Sequence, residues 1–327
     1  MPIPTPGDVH VNRPLTNISI AYIQEATAFI ADKVFPTVPV QKQSDRYFKY
    51  LKEDWFRSEA KERAPATESA GSGWRIDNTP TYFATVFAVH KDVDDFTRAN
   101  SDEPIDMDRD ATLWVTQQLL LKREQVWAQN YFRTTVWDTD LQGVPAAPGA
   151  GQFLQWDQAS STPIEDITGA AVLIAQKTGF RPNVLVLSPT VYNAVRNHPD
   201  VLDRIKYTQR GVVTTEILAG LFDVERVLVP WGVINPAPEG VPGDDDFDFI
   251  FGNHALLVYA NPTPSILQPS GGYIFSWTGY LGAGPAGNRI KRFRIEQIGA
   301  DRVEGEIAFD AKLVAPDLGV FFADAVA

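Results

Sequence analysis

The chain has 327 residues, a formal net charge of -12, 44% hydrophobic residues and no cysteine. That length is ample to bury one large core or two. The acidic balance opposes a surface that grips nucleic acid or anionic lipid, and the missing cysteine removes disulfides, thiolate metal sites and a Cys nucleophile. No signal-like amino terminus and no apolar run of membrane-spanning length is present, so a soluble protein made in a reducing cytoplasm is expected.

Met1 to Arg13 is rich in proline and poor in apolar residues, which predicts an arm that relies on other surfaces, neighbouring subunits among them, for support. The triplet Asn17, Ile18, Ser19 matches a glycosylation acceptor, a pattern without consequence in an intracellular protein. Ile20 to Ala31 reads as a short helix closed by Pro36 and Pro39. From Arg46 to Val89 the period changes to two: Tyr47 to Leu51 and Thr81 to Val89 carry the aromatic and β-branched residues of strands. Between them lie mixed charges and a small-residue run ending in Gly71, Ser72 and Gly73. A connection so long and so poor in apolar residues predicts an extended two-stranded flap, which needs a partner surface because a lone hairpin is only marginally stable. The residues expected to make that contact are Trp55, Phe56, Arg57, Glu59, Lys61, Glu62 and Arg63.

Asp106 to Arg133 is the longest helical reading, free of Gly and Pro, with Asp106, Asp108 and Asp110 at the end where the helix dipole favours negative charge. Leu113 and Trp114, Leu120 and Leu121, Trp127 and Ala128, and then Tyr131 and Phe132 form one broad apolar stripe; Val115, Leu119 and Val126 form a narrower one almost opposite. Such a helix, packed on two sides, would be a spine with Leu113, Leu120, Trp127 and Tyr131 in its core. Val136 to Asp157 reads as loop. Thr162 to Glu165 has the form of a capping box with proline at the first helical position, Ile164, Ile167, Ala171 and Ile174 recur on one face, and Gly179 supplies the stop. Asn183 to Leu187 and Arg226 to Val229 read as strands among further helices capped by Ser188 and by Thr214 or Thr215, an α/β arrangement. Toward the end, Lys291 to Gln297 and Glu306 to Val314 alternate as half-buried strands whose charged faces remain open to solvent or a neighbour.

No constellation of chemistry assembles from these residues. Gly282, Gly284 and Gly287 match GxGxxG, but Pro285 interrupts it and a strand follows where a dinucleotide site needs a helix. Asp244, Asp245, Asp246 and Asp248 lack the spacing and closing Glu of a calcium loop, and read as a solvated turn. His10, His90, His198 and His254 have no metal-ligand spacing, and no GxSxG elbow occurs. No cofactor, metal or catalytic residue is therefore expected.

Trp156, Thr162 to Thr168 (TPIEDIT), Thr178 to Leu187 (TGFRPNVLVL), His198 to Tyr207 (HPDVLDRIKY), Lys291 to Glu296 (KRFRIE) and Arg302 to Asp310 (RVEGEIAFD), in this order, resemble the major capsid proteins of tailed bacteriophages. The resemblance spans nearly the whole chain, and none of its motifs is catalytic. It implies an α+β chain with the Hong Kong 97 fold: an amino-terminal arm (1–45), an extended β-hairpin loop (46–89), a peripheral domain with the long spine helix (90–156 and 289–327, the helix at 106–133) and an α/β axial domain (157–288). The implied function is structural: self-assembly into the hexamers and pentamers of an icosahedral phage head enclosing double-stranded DNA. Such a protein is built in the host bacterial cytoplasm and resides in the virion. Scaffolding, portal and decoration proteins are the implied partners, scaffolding as a separate chain because there is no room for one before the arm. Packaged DNA would be faced rather than bound sequence-specifically, an acidic inner wall avoiding pinning it, and no membrane is involved. Two alternatives stand beside this expectation, an encapsulin-like nanocompartment shell of the same fold and an acidic α/β enzyme.

Overall fold

The computed structural model describes residues 24–101, 105–206, 213–237, 247–264, 268–281 and 288–327. The elements of the first part are α1 (Ala31–Val34), β1 (Thr37–Val40), β2 (Ser44–Arg46), β3 (Lys49–Tyr50), α2 (Lys52–Trp55), β4 (Ile76–Asp77), β5 (Thr81–Phe83), β6 (Thr85–Asp94), α3 (Asp95–Asn100) and α4 (Met107–Tyr131). Then come β7 (Thr139–Val144), β8 (Gln152–Leu154), α5 (Pro163–Thr178), β9 (Val184–Leu187), α6 (Pro189–Arg196), α7 (Pro199–Ile205), α8 (Thr215–Leu221), β10 (Arg226–Leu228), β11 (Val233–Ile234), β12 (Asp248–Phe249) and β13 (Ala255–Val258). The last are β14 (Gly272–Trp277), α9 (Thr278–Leu281), β15 (Asn288–Ile295), β16 (Ala300–Leu313) and β17 (Gly319–Ala323).

A six-stranded sheet runs in the order β10-β9-β13-β17-β7-β8. Its three central strands are continuous apolar runs, VLVL, ALLV and GVFFA, as strands covered on both faces require. Successive side chains point to opposite faces. Val184, Val186, Leu256, Val258, Phe321 and Ala323 join a core shared with α4, while Leu185, Leu187, Ala255, Leu257, Val320 and Phe322 join a second core beneath α5 to α8. The sheet thus separates two cores and belongs to both.

The other main sheet has five strands, β1-β14-β16-β15 with β6 also on β16. β16 carries the arrangement: Ala300 to Ile307 pair with β15, Ala300 to Phe309 with β6, and Phe309 to Leu313 with β14. Ile307, Phe309 and Ala311 are buried toward α4, as their alternation predicts. The opposite face holds charges that pair across strands. Arg302 donates to both oxygens of Asp92 at 2.7 and 2.8 Å, and Arg289 and Lys291 reach Glu306 at 2.6 and 3.0 Å. Those charges are engaged within the chain rather than left for solvent.

The sequence division between peripheral and axial segments differs from these pairings. β7, β8 and β17, placed with the peripheral segments, pair in the six-stranded sheet, and β14, placed with the axial segment, pairs in the five-stranded sheet. Strands are grouped by backbone hydrogen bonds that periodicity cannot identify. The pattern did hold a partial signal, since GVFFA lacks the alternation of a one-faced strand.

α4 leans on both sheets. The Asp106 carboxylate accepts from the backbone N–H of Asp108 and Arg109, both at 3.1 Å, capping the amino end. Over its first half Ala111, Val115 and Leu119 face the core with Val93, Val303 and Ile307. The approach is so close that a Cβ on Gly305 of β16 would lie 2.3 Å from Val115 Cγ1 and 2.9 Å from Leu119 Cδ1, so only glycine fits there. Over its second half the buried side rotates to Trp127 and Ala128, with Phe132 just beyond the helix; Trp127 and Phe132 meet Phe251, and Phe132 meets Phe321 edge-on.

The packing of the spine therefore differs from the expected one. Trp127 is fully buried and Tyr131 half-buried, but Leu113 is 42% exposed and Leu120 only half-buried. The narrow stripe meets the five-stranded sheet, because a straight helix crossing two sheets presents different sides to protein along its length. Two smaller differences follow local chemistry. The Thr162 side chain makes no capping bond; Glu165 pairs with Arg204 instead, leaving Pro163 and the left-handed Gly179 (φ 74°) to bound α5. The described part of Ile20 to Ala31 is a 3-10 turn at Ala26–Ala28 followed by α1, rather than one helix.

The end of the arm is tied to α4 by a buried acid. Glu124 Oε1 accepts from Ile30 N–H at 2.8 Å and Oε2 from Ala31 N–H at 2.9 Å, satisfying the first donors of α1. Burial pushes the Glu124 carboxyl up to about 7, against the pull of those two hydrogen bonds and of Arg123. Arg123, also buried, reaches Asp32 at 3.2 Å. Phe35 then packs on Trp127 and Tyr131, with ring centres 5.4 and 5.0 Å away.

Candidate assembly surface

The expected flap is a hairpin in two short ladders, β2 with β5 and β3 with β4, ending in a long connection. Its base is anchored. Tyr82 stacks on Phe275 at 4.6 Å, Phe83 N–H donates to Asp310 at 2.8 Å, Lys49 donates to the Val314 carbonyl at 2.5 Å and Lys52 pairs with Asp317. Between base and body lies a mostly apolar cavity of about 770 Å³, walled by Tyr47, Tyr50, Trp55, Phe180, Tyr273 and Phe275 among others.

Beyond the base, Phe56 rests beside Gly179 at the end of α5, and the polar bonds shown for the described tip lie within the hairpin itself. Arg75 crosses to Asp54, its N–H and Nε donating to Oδ2 at 2.9 and 3.0 Å; the Arg75 side-chain bonds hold the Asp54 carboxyl below the usual carboxylate range. Phe48, Tyr50, Trp55 and Trp74 form a ladder of rings with successive centres 5.9, 5.7 and 5.8 Å apart. Every residue from 60 to 76 is exposed.

The sequence-chosen residues divide accordingly. Trp55 and Phe56 are 54% and 59% exposed, Arg57 pairs loosely with Glu59 at 3.6 Å, and Arg63 donates to the Thr67 carbonyl within its own turn. Lys61 and Glu62 are exposed. Phe48, Trp74, Ile76 and Phe83, 47 to 61% exposed, extend the same apolar surface. Sequence reasoning passed over them because an aromatic in a strand ordinarily signals burial. A second aromatic group joins half-buried Tyr192 to exposed Trp231 and Phe249 beside the β11–β12 ribbon. Lone apolar side chains at a surface are ordinary, but contiguous rings mark contact surfaces.

The catalytic-looking residues do not converge. The GxGxxG glycines Gly282, Gly284 and Gly287, Asp244 to Asp246 and His10 lie outside the described residues, and Asp248 is an exposed residue of β12. Ser161 and His198 are buried 3.0 Å apart, a spacing suggestive of a nucleophile and base. The histidine is already committed: its Nδ1 accepts from Asp200 N–H, so Nε2 carries the proton and donates toward the Gln158 carbonyl at 2.9 Å, unable to take one from serine. Its work is to cap α7. His254 accepts from Asp324 N–H at 2.9 Å beside Phe132 and Phe321, and burial lowers its pKa. Among the described residues no group of three or more His, Asp or Glu is placed to hold a metal. No described helix is long and apolar enough to cross a membrane.

The surfaces thus favour contact over chemistry, and similarity to known proteins agrees. Residues 154–256 match the family of phage major capsid protein E. The chain is similar to the major capsid protein of Burkholderia phage BcepMu, 26% identical with 93% of each chain covered, and to that of Pseudomonas phage JBD67, 27% identical with 96% of each covered. Among solved structures it is similar to a phage-related protein of Bordetella bronchiseptica RB50 (22% identity, 93% and 94% covered, TM-score 0.69) and to the capsid of cyanophage P-SCSP1u (11% identity, 94% and 90% covered, TM-score 0.61). The SrpI encapsulin of Synechococcus elongatus PCC 7942 has the same fold at 13% identity, with 96% and 95% covered and a TM-score of 0.58. Fold alone therefore does not separate virus from nanocompartment; the full-length relatives do. Over nearly its whole length the chain is similar to phage major capsid proteins, and its fold is the Hong Kong 97 fold of their shell subunits.

Proposed function

We propose that this subunit assembles into hexamers and pentamers of an icosahedral head around double-stranded DNA, has no catalytic role, and is built in the cytoplasm of a bacterial host. The supporting observation is the hairpin: anchored at its base, self-braced by Arg75 and Asp54, and exposing aromatic rings that its own chain leaves uncovered. Laid over a neighbour, Trp55, Phe56 and Trp74 would be buried, and Arg57, Lys61 and Arg63 would find acids on that neighbour. Each burial of a large side chain contributes about 1.5 to 3 kcal/mol, whereas each exposed ion pair gives about 0 to 1 kcal/mol. Rings supply the affinity, charges the register. A net charge of -12 lets a wall of such subunits face DNA without holding it. Scaffolding, portal and decoration proteins would meet this shell as separate chains.

Electron microscopy of particles purified from infected cells, with assay of nuclease-protected nucleic acid, tests the reading. Icosahedral heads filled with DNA are expected; closed shells loaded with an enzyme and free of DNA would give the nanocompartment reading instead.

A further inference from the structure

The cavity under the hairpin has the size and the walls of a ligand site. Its volume of about 770 Å³ falls within the range of about 300 to 1,000 Å³ at which proteins enclose drug-sized molecules. Tyr47, Tyr50 and Trp55 face it from the hairpin, and Phe180, Tyr273 and Phe275 from the body. The lining carries five charged side chains, and four of them have partners. Lys52 pairs with Asp317, and Glu53 reaches Arg75 at 3.3 Å. Asp77, opposite Lys49 in the β3–β4 ladder, accepts from the Thr79 N–H and hydroxyl at 2.9 and 2.6 Å.

Lys49 is the fifth. It is half-buried on β3, and among the described residues its ammonium donates to the Val314 carbonyl and pairs with no carboxylate. An ammonium has three N–H donors, so further donors remain for a ligand. Burial lowers the pKa of this one, against the pull of Asp77 and Asp317, as expected of a cation short of countercharge. We propose that the cavity binds an apolar monocarboxylate, its carboxylate on Lys49 and its hydrocarbon body between the rings of the hairpin and those of the body. The carboxylate would give Lys49 charge-assisted hydrogen bonds, and the hydrocarbon would displace water from apolar walls. A second negative charge on the ligand would meet Glu53, Asp77 or Asp317, so one carboxylate suits the site and two do not. Because the walls come from two parts of the chain, a bound ligand would tie the hairpin's base to the body whether or not its tip meets a neighbour.

Titration calorimetry of the purified full-length protein with dodecanoate, below its micelle concentration, tests this. Saturable binding at one site per chain is expected, with dodecanol and dodecanedioate each binding at least tenfold more weakly. Lys49→Met should lower dodecanoate affinity at least tenfold, whereas Lys42→Met, an exposed lysine paired with Asp45, should leave it unchanged. Equal affinity of wild type and Lys49→Met, or unsaturable uptake, would overturn the proposal. Should Lys49→Met fail to fold, quenching of tryptophan emission by a brominated dodecanoate gives a second reading. Trp55 lines the cavity and Trp74 stands beside it, with ring centres 5.8 Å apart. The double variant Trp55→Phe, Trp74→Phe is expected to lose less than half the emission that wild type loses at the same occupancy, and equal loss would place the ligand elsewhere.

Discussion

The six-stranded sheet and the extended hairpin use similar residues to opposite ends. In the sheet, Phe321 and Phe322 point to opposite faces and both are fully buried, one against α4 and one beneath α5. In the hairpin, Trp55, Phe56 and Trp74 are more than half exposed, and each ladder is only two or three residue pairs long. One region finishes its packing within the chain; the other has packing to give away. A shell subunit needs both, a body that folds before it meets a partner and a surface that is stable only after the meeting.

Substitutions in the two regions should therefore separate folding from assembly. The largest effect is expected at Trp127, fully buried where α4 meets the arm and the six-stranded sheet. Trp127→Ala should destabilise the unassembled subunit by about 3 to 5 kcal/mol in denaturant melts, with assembly lost as a consequence of unfolding. A folded variant that only fails to assemble would move Trp127 from the body to the contact surface.

Glu124 sharpens the comparison by pH. Its folded carboxyl titrates near 7, above an exposed glutamate, so between about pH 4.5 and 7 the folded chain binds more protons than the unfolded one and stability falls as pH rises. The ionised form costs about 3 kcal/mol, from about 1.4 kcal/mol per tenfold change in proton affinity. Asp92, held low by Arg302, acts in the opposite sense, losing stability as pH falls. The difference between wild type and Glu124→Gln isolates the buried acid: wild type should lose stability relative to the variant across that window. A constant difference would show that Glu124 does not titrate there.

Smaller effects follow. Gly305→Val should cost about 1 to 3 kcal/mol, because its side chain must displace Val115 and Leu119. Thermal melts of the subunit measure it, and an unchanged midpoint would mean that α4 can lift from β16 freely. Smallest of all, Arg57→Ser, Lys61→Ser and Arg63→Ser should each change subunit stability by less than about 0.5 kcal/mol. Any effect should appear in the salt dependence of shell formation, and a shared drop in melting temperature would place these charges within the folded body.

What the sequence disclosed follows the same division. Alternation exposed β16, caps and glycine stops bounded α4 and α5, and the length of 46–89 with its scarce apolar residues marked the hairpin, because each reflects chemistry local to its own segment. Partnership was hidden. Nothing in GVFFA names β13 and β7 as its neighbours, and nothing in Leu113 tells that the sheet will choose Val115 instead. Glu124 could have been suspected, as an acid inside an apolar stripe, although its partners Ile30 and Ala31 lie 94 and 93 residues away. Of the exposed rings, Trp55 and Phe56 were legible from the charged segment around them, but Phe48, Trp74 and Phe83 were not, since burial inside one chain and burial between chains call for the same residues.

The central claim is that the hairpin tip belongs to the shell and not to the fold. Replacing Arg57 to Gly71 by a short Gly-Ser bridge removes residues that are nearly all exposed, while keeping the aromatic base and the Asp54–Arg75 bond. Sedimentation and circular dichroism of this variant are expected to show a folded subunit or capsomer, with the wild-type spectrum and melting temperature, that forms no stable shells. Full-sized particles of unchanged heat resistance would contradict the claim, and loss of the fold would put the tip in the core.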